Sequence, residues 1–524
     1  VGDEPRYAYQ GLGLYTAASL RPDEHLWQRF AADNHCGDIG IPPIISLSPS
    51  IVYGAAIAFA GIEAARWLCF VVGCAGLLML YAALRPRFAA LPALLALSAI
   101  ALSLPFAPYL QLLYPEMLLF AAIAGGLVAL AYGRYTAAAV VAALLPFIHL
   151  RASPLSLVLV TTVIALMLRD RRPVAAVIRA AVLYAFLIVV FVACQIEIYG
   201  SVTGSAFPTF APSAALFVQR LGMQLYDVRH GAVAYAPLLL IGFAGLVRGA
   251  LCRDRLSIVC TLLLVATVGT FMWSTAEESW EGRFWISALP FVAYGMAFWF
   301  SECSGVVDWL PAMPLAFVSA MVLVAYALHP LWFLESRQAS VFYTALYPLT
   351  HVHIGLLLPV DAAGYAVPIG ALLAFTVVAV AALAVCHAVT KRAWRMRACM
   401  FAGAVVLSPA VFALARTAPA DAVVFPSRGT IVVHLGGDAR RADGVQFDAL
   451  VPAYWSAPAF PATFSVRCMH ASTPVSESVL AAIPLIRFPG CTRVDTIVIT
   501  GLPAASGRDF YRHPGPVRVI YRLL

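Results

Sequence analysis

A small set of ionisable side chains stands where the surrounding sequence is apolar, and their types suit one kind of chemistry. Asp3 and Glu4 open the chain in GDEPRY, followed directly by Arg6 and Tyr7. Glu116 sits in LLYPEMLL, Arg151 in HLRASP, Arg229 and His230 in YDVRHG, and Arg283 in EGRFW. A carboxylate at a membrane surface can act as general base toward a hydroxyl. Arginines beside it can hold a phosphate through bidentate, charge-assisted hydrogen bonds. Together they suit a displacement in which a sugar hydroxyl attacks an anomeric carbon and a phosphate departs, the cations stabilising charge on the leaving oxygen.

The elements that must position these groups are membrane helices. Of 524 residues, 62% are hydrophobic and 11% charged, against about 25% charged in ordinary soluble domains. The long apolar runs predict an all-α polytopic membrane protein with about twelve spans, near 64–84, 88–107, 117–133, 136–150, 154–168, 174–195, 232–249, 256–273, 284–300, 309–329, 365–387 and 398–415. Several are shorter than the roughly 20 residues a perpendicular helix needs, and the pair between Tyr135 and Arg169 is the least regular.

The net charge of +8 is topological. Arg85/Arg87, Arg134, Arg169/Arg171/Arg172, Arg248/Arg253/Arg255 and Lys391/Arg392/Arg395/Arg397 cluster at short breaks, as the positive-inside rule places cytoplasmic loops. No nucleic-acid partner is expected. Every such cluster falls on one face, and only the loop Ser301–Asp308 lacks its basic residue. The opposite face receives the larger segments and all the ionisable groups named first. Loops of roughly ten residues cannot build a nucleotide-binding unit of about thirty, and Lys391 is the only lysine, so the site is expected outside the cytoplasm. An acidic opening with that address implies a further transmembrane helix before Val1.

Three domains are expected: 1–60, a first extracytoplasmic loop with juxtamembrane helices and the acidic motif; 61–415, the multi-span domain; and 416–524, an extracytoplasmic all-β domain resembling a sandwich. The last is read from GTIVVHLGG, VQFDALVPAYW, FSVRCMHAS, VDTIVITGL and PVRVIYRLL, β-rich runs set off by Gly, Pro, Ser and Asp. Its Cys468 and Cys491 are candidates for a disulfide; the other cysteines are mostly scattered in apolar runs.

GDEPRY resembles the acidic first-loop motif of GT-C glycosyltransferases, polytopic enzymes that take sugars from polyprenyl-phosphate carriers. The likeness is closest to the bacterial group of aminoarabinose transferases and protein O-mannosyltransferases. LYDVRHGAVAYAPLLLIGFAGL, ESWEGRFWISALPFVAYGM and the late loop ending in LLLP resemble segments of the same group. The resemblance spans residue 1 to about 415 and does not extend to the β-rich tail. It implies Asp3 as the catalytic base, Glu4 as its support, Glu116 as the second acidic position, and Arg283, Arg229 and Arg151 toward the donor phosphate. Arg6, Tyr7 and His230 would contact substrate. The donor would be a polyprenyl-phosphate-linked sugar, the acceptor a hydroxyl on a glycan, lipid or protein, and the address the bacterial plasma membrane. Some members use a divalent ion, so metal dependence stays open.

Each residue also has a plainer reading. Asp3 and Glu4 can start a helix before Pro5, and Glu116 after Pro115 can answer a helix dipole. Arg229 can pair with Asp227, Arg283 with Glu278 or Glu281, and Arg151 can snorkel to the interface. AADNHCGDIG matches no standard zinc spacing, and His351 and His353 need have no special role. Tyr7, Tyr9, Trp280 and Trp285 suit either sugar stacking or an interfacial aromatic belt. The rival functions are a transporter or flippase for a lipid-linked sugar, and a non-catalytic partner in cell-envelope assembly.

Overall fold

The computed structural model describes residues 14–15, 47–199, 214–226, 231–270, 283–328, 369–389, 392–419, 422–427, 430–434, 440–447, 464–470, 473–480, 485–500 and 517–521. The described chain is mostly helical. Thirteen helices of twelve or more residues are described: α1 Leu47–Leu84, α2 Ala90–Ala101, α3 Pro115–Ala131, α4 Tyr135–Ile148, α5 Ser153–Arg169, α6 Val174–Tyr199, α7 Ala214–Tyr226, α8 Leu239–Leu251, α9 Arg255–Thr270, α10 Leu289–Glu302, α11 Ala312–Leu328, α12 Ile369–Cys386 and α13 Arg392–Arg416. Among the described residues, four helical stretches are long and apolar enough to cross a membrane: Leu47–Leu84, Leu150–Arg169, Val174–Ile198 and Arg283–Glu302. Seven more are apolar but shorter.

The surface of α6 shows what solvent it is made for. Val174, Ile178, Val182, Phe186 and Val189 are each more than half exposed, and their spacing lays them along one face of the helix. Water would penalise so long an apolar stripe; hydrocarbon does not. The first helix also begins earlier than its composition predicts. It runs back to Leu47, and the break falls at Gly61, whose φ of 81° and ψ of 176° are not helical. Glycine alone takes that conformation without a side-chain clash.

Proline sets where several helices begin. Pro115 opens α3, Pro154 lies in the first turn of α5 and Pro290 in that of α10, positions where the absent N–H costs nothing. The helices then pack closely. Where α8 crosses α10, a methyl group on Gly245 would stand 1.8 Å from the Gly295 carbonyl oxygen, and one on Gly295 would stand 2.0 Å from the Gly242 oxygen. These small residues let two backbones touch, the usual means by which helices associate where lipid removes the hydrophobic drive.

One end of the helix set is held by ion pairs between its connecting turns. Arg87 Nε donates to Asp254 at 3.1 Å, and Arg255 Nη2 donates to Asp170 at 2.9 Å and to the Tyr135 hydroxyl at 2.7 Å. Tyr135 donates to the same Asp170 oxygen. Arg248 pairs with Glu302 at 3.1 Å and Arg395 with Asp308 at 2.9 Å. The turn at Ser301–Asp308, which lacks a basic residue, thus supplies the acids that its basic neighbours use. Hydrogen bonds from Tyr135 and then Arg255 hold the Asp170 carboxyl below its ordinary range. For Asp308, burial pushes upward, but the N–H groups of Ser304 and Gly305 together with Arg395 outweigh it and the net direction is down.

Among the described residues, nine strands follow α13. β1 Thr417–Pro419, β4 Arg440–Phe447, β7 Leu485–Val494 and β9 Val517–Tyr521 form one sheet in the order β1-β9-β4-β7. β2 Ala422–Ser427, β3 Thr430–His434, β5 Phe464–His470, β6 Thr473–Leu480 and β8 Thr496–Thr500 form another, in the order β2-β3-β8-β5-β6. Neighbours are antiparallel, and the register aligns Val433, Ile497 and Cys468 in a single row across β3, β8 and β5. All three are fully buried. Cys468 is disulfide-bonded; Cys491 lies on β7, with its side chain outside those described.

Two expectations follow. Gly245→Ala should lower the thermal midpoint in detergent, since the added methyl meets backbone that cannot yield, at a cost of about 1–3 kcal/mol or more. Gly269→Ala, with nothing within 4 Å of the new methyl, should leave the midpoint unchanged or raise it by up to about 1 kcal/mol of stability. Because the Asp170 pKa is depressed in the fold, its contribution is present above the unfolded carboxylate value of about 3.9 and lost as pH falls through the lower folded value. A melting-temperature profile against pH should therefore lose part of its acid-side slope in Asp170→Asn.

Candidate functional site

The opposite ends of the same helices carry the chemistry. Glu116 is in the first turn of α3, and Arg283 begins a short 3-10 segment, Arg283–Ala288, that leads into α10. Arg283 Nε donates to Glu116 Oε1 at 2.8 Å, with side chains 8% and 4% exposed. The Arg283 guanidinium also lies 4.0 Å from the centre of the Tyr114 ring. Glu116 is 167 residues away in the chain; Glu278 and Glu281, the local candidates, lie outside the described residues. Two charges leave water here only because each answers the other.

The second carboxylate oxygen is left over. Glu116 Oε2 is buried and has no hydrogen-bond partner among the described residues. Glu116 is also one of the residues lining a small pocket of about 20 Å³, room for a water or two, together with His149, Arg151, Phe284 and Ser287. Arg151 lies over the Phe284 ring, 3.9 Å from guanidinium carbon to ring centre. Leu155 of α5 and Leu119 of α3 add apolar wall, and Thr267 and Thr270 close it from the last turn of α9. The first turns of α3 and α5 and the lead-in to α10 therefore meet at this pocket, with the partial positive charge that helix N-termini carry.

Local sequence explains how each group is aimed. His149 follows α4 in extended conformation (φ −156°, ψ 125°), where the helix ends just past Pro146. Its Nδ1 accepts the Arg151 backbone N–H at 3.1 Å, so the ring is fixed at the entry to α5. Trp285 faces the other way. It is 2% exposed, donates from Nε1 to the Gln224 carbonyl of α7 at 2.8 Å and packs on Phe243. Sugar stacking on Trp285 is therefore corrected to a structural role: it clamps the 283–288 segment so that Arg283 is held in place. Tyr53 of α1 does the same for the loop before α3, donating to the Tyr114 carbonyl at 3.2 Å.

Of the sequence-derived site residues, Glu116 and Arg151 line one pocket, and Arg283 joins them through its ion pair with Glu116. Asp3, Glu4, Arg6, Tyr7, Arg229 and His230 lie outside the described residues, as do AADNHCGDIG, His351 and His353. Among the described residues no group of three His, Cys, Asp or Glu side chains gathers as a metal site. His149 was passed over in HLRASP beside the arginine that drew attention; an ionisable residue at an apolar boundary was its available signal. Thr267, Thr270 and Ser287 had none, because hydroxyls in apolar helices are common.

Removing one member of the Glu116–Arg283 pair should cost about 3–5 kcal/mol, the penalty of a lone buried charge. Glu116→Gln and Arg283→Gln should each lower the thermal midpoint, and the double variant should recover much of the loss. Additive losses would show that the two groups are not coupled. Comparison of the chain with known proteins gives no matching family model, no matching curated protein and no matching solved structure.

Proposed function

We propose that this chain is an integral membrane glycosyltransferase of the GT-C type, working on the extracytoplasmic face of a bacterial plasma membrane. It transfers a sugar from a polyprenyl-phosphate carrier to an acceptor hydroxyl, in a single displacement with inversion. The single observation that supports the reading is that Glu116 and Arg151 line one pocket while Arg283 is ion-paired to Glu116. These groups sit in separate loops, and each was a candidate by its chemistry before its neighbours were known. A carboxylate beside two guanidinium groups at the helix ends is what the reaction requires: acceptor for a hydroxyl, cations for a leaving phosphate.

In this reading twelve spans alternate through the bilayer and the strand-rich tail lies outside, over the same face as the pocket. The turns with paired arginines face the cytoplasm, in keeping with the positive-inside rule. Asp3 is the base that takes the acceptor proton as the anomeric bond to phosphate breaks, and Glu4 supports it. Arg151 meets the phosphate most directly. Arg283 contributes by fixing Glu116, since its Nε is committed to that carboxylate. Arg229 and His230, just ahead of the buried turn Ala232–Tyr235, complete the donor side. A flippase would need charge within its path through the membrane, and an assembly partner would need no pocket.

Asp3→Asn tests the assignment. In membranes supplied with lipid-linked sugar donor it should reduce transfer by about two orders of magnitude or more, the usual worth of a general base, with an unchanged melting profile. Full transfer by Asp3→Asn, or none by the wild-type chain with any lipid-linked donor, would end this reading.

A further inference from the structure

Three turns at the ion-paired end of the helix set are built alike. After α3, the N–H groups of Gly133 and Arg134 donate to the carbonyls of Leu130 and Ala129. After α5, those of Arg171 and Arg172 donate to Leu168 and Met167, and after α8, those of Arg253 and Asp254 donate to Ala250 and Gly249. This is the Schellman ending, which puts the first of the two donors in the left-handed region and takes glycine there by preference. Gly133 obeys, with φ 65°. Arg171 and Arg253 stand in the same place at φ 51° and 59°, where a side chain crowds its own backbone. The strain is tolerated twice on one face, each time for an arginine.

Neither guanidinium serves the fold. Both residues are exposed, and neither guanidinium has a hydrogen bond or ion pair among the described residues. The acids beside them are committed elsewhere: Asp170 to Tyr135 and Arg255, Asp254 to Arg87, Tyr294 and the Ser257 N–H. A helix C-terminus favours a cation, but Arg169 and Arg248 already fill that role from the last turns of α5 and α8. Orientation in the membrane depends on how much basic charge a loop holds, which gives no reason to seat that charge on strained backbone. The Asp170–Arg255 pair joins the second turn to the third, so the two strained arginines share one surface. Arg172, laid over the Tyr135 ring, and Arg179 are exposed on the same side of the chain. Directly after Pro173 comes α6, whose apolar stripe from Val174 to Phe186 is open.

We propose that this surface seats anionic phospholipid. Headgroup phosphates take the guanidinium groups of Arg171 and Arg253, whose forked donors match phosphate oxygens in pairs. Arg172 and Arg179 flank them, and acyl chains lie along the stripe of α6. Cations at the start of a bare apolar helix complement a lipid with a negative headgroup. The surface needs a membrane but no reaction at the opposite end, so it stands or falls apart from the transferase reading.

The test uses the full chain in phosphatidylcholine nanodiscs with and without phosphatidylglycerol, comparing wild type with the double variant Arg171→Gly, Arg253→Gly. Glycine relieves the backbone, so in phosphatidylcholine alone the double variant should melt at or above the wild-type temperature. Phosphatidylglycerol should raise the wild-type midpoint and leave that of the variant unmoved. Native mass spectrometry should show the phosphatidylglycerol-bound fraction falling about fivefold for each arginine removed. Inorganic phosphate added to phosphatidylcholine nanodiscs should not reproduce the wild-type gain. Equal gains in both proteins would overturn the proposal, as would a variant that melts lower in phosphatidylcholine, which would assign the arginines to the fold. A gain with inorganic phosphate alone would replace the lipid with a free anion.

Discussion

The ion pair between Glu116 and Arg283 is the contact on which the site depends. It joins the start of α3 to the segment before α10, parts of the chain with no local connection, and it does so out of water. A buried pair of this kind contributes little net stability compared with a well-packed apolar substitute, and breaking it is expensive. Its worth is specificity of position. With Arg283 engaged at Nε and laid on Tyr114, one oxygen of Glu116 is fixed, and the other is buried without a hydrogen-bond partner among the described residues. Trp285 and Tyr53 hold the two loops from behind, through hydrogen bonds to backbone carbonyls of α7 and of the turn before α3.

The two ends of the helix set use charge in different ways. At one end, Arg87, Arg248, Arg255 and Arg395 are each answered by a carboxylate from a neighbouring turn. Those pairs are partly exposed and join turn to turn, so each is individually weak and together they fix the order of the helices. At the other end the Glu116–Arg283 pair is more deeply buried, and one Glu116 oxygen has no hydrogen-bond partner among the described residues. The close glycine crossing of α8 and α10 links these ends mechanically: α10 carries Glu302 at one extremity and follows directly from Arg283 at the other.

The pocket combines polarity of both signs within a small volume. Three hydroxyls bound to their own backbone, a half-used carboxylate, one imidazole N–H and one guanidinium divide it into an accepting part and a donating part. The structure gives the three arginines drawn from sequence different work. Arg283 positions, Arg151 borders the pocket, and Arg229 lies outside the described residues.

Much of this was legible in the amino-acid order. Hydropathy placed the helices, because an apolar run longer than a core requires has few other solutions. Prolines at Pro115, Pro154 and Pro290 marked helix starts, and isolated charges among apolar residues marked Glu116, Arg151 and Arg283. Strand-rich runs were recognised at β3, β5, β8 and β9, while β6 and β7 escaped because Pro474 and Pro489 break their pattern. Pairing was not legible. That Arg283 meets Glu116, that Trp285 faces the core, and that His149 lines the pocket depend on how helices cross. The crossing is set by the shapes of side chains and of missing ones, as at Gly245 and Gly295. Periodicity along a chain fixes which face of a helix is apolar; only packing in three dimensions fixes what that face meets.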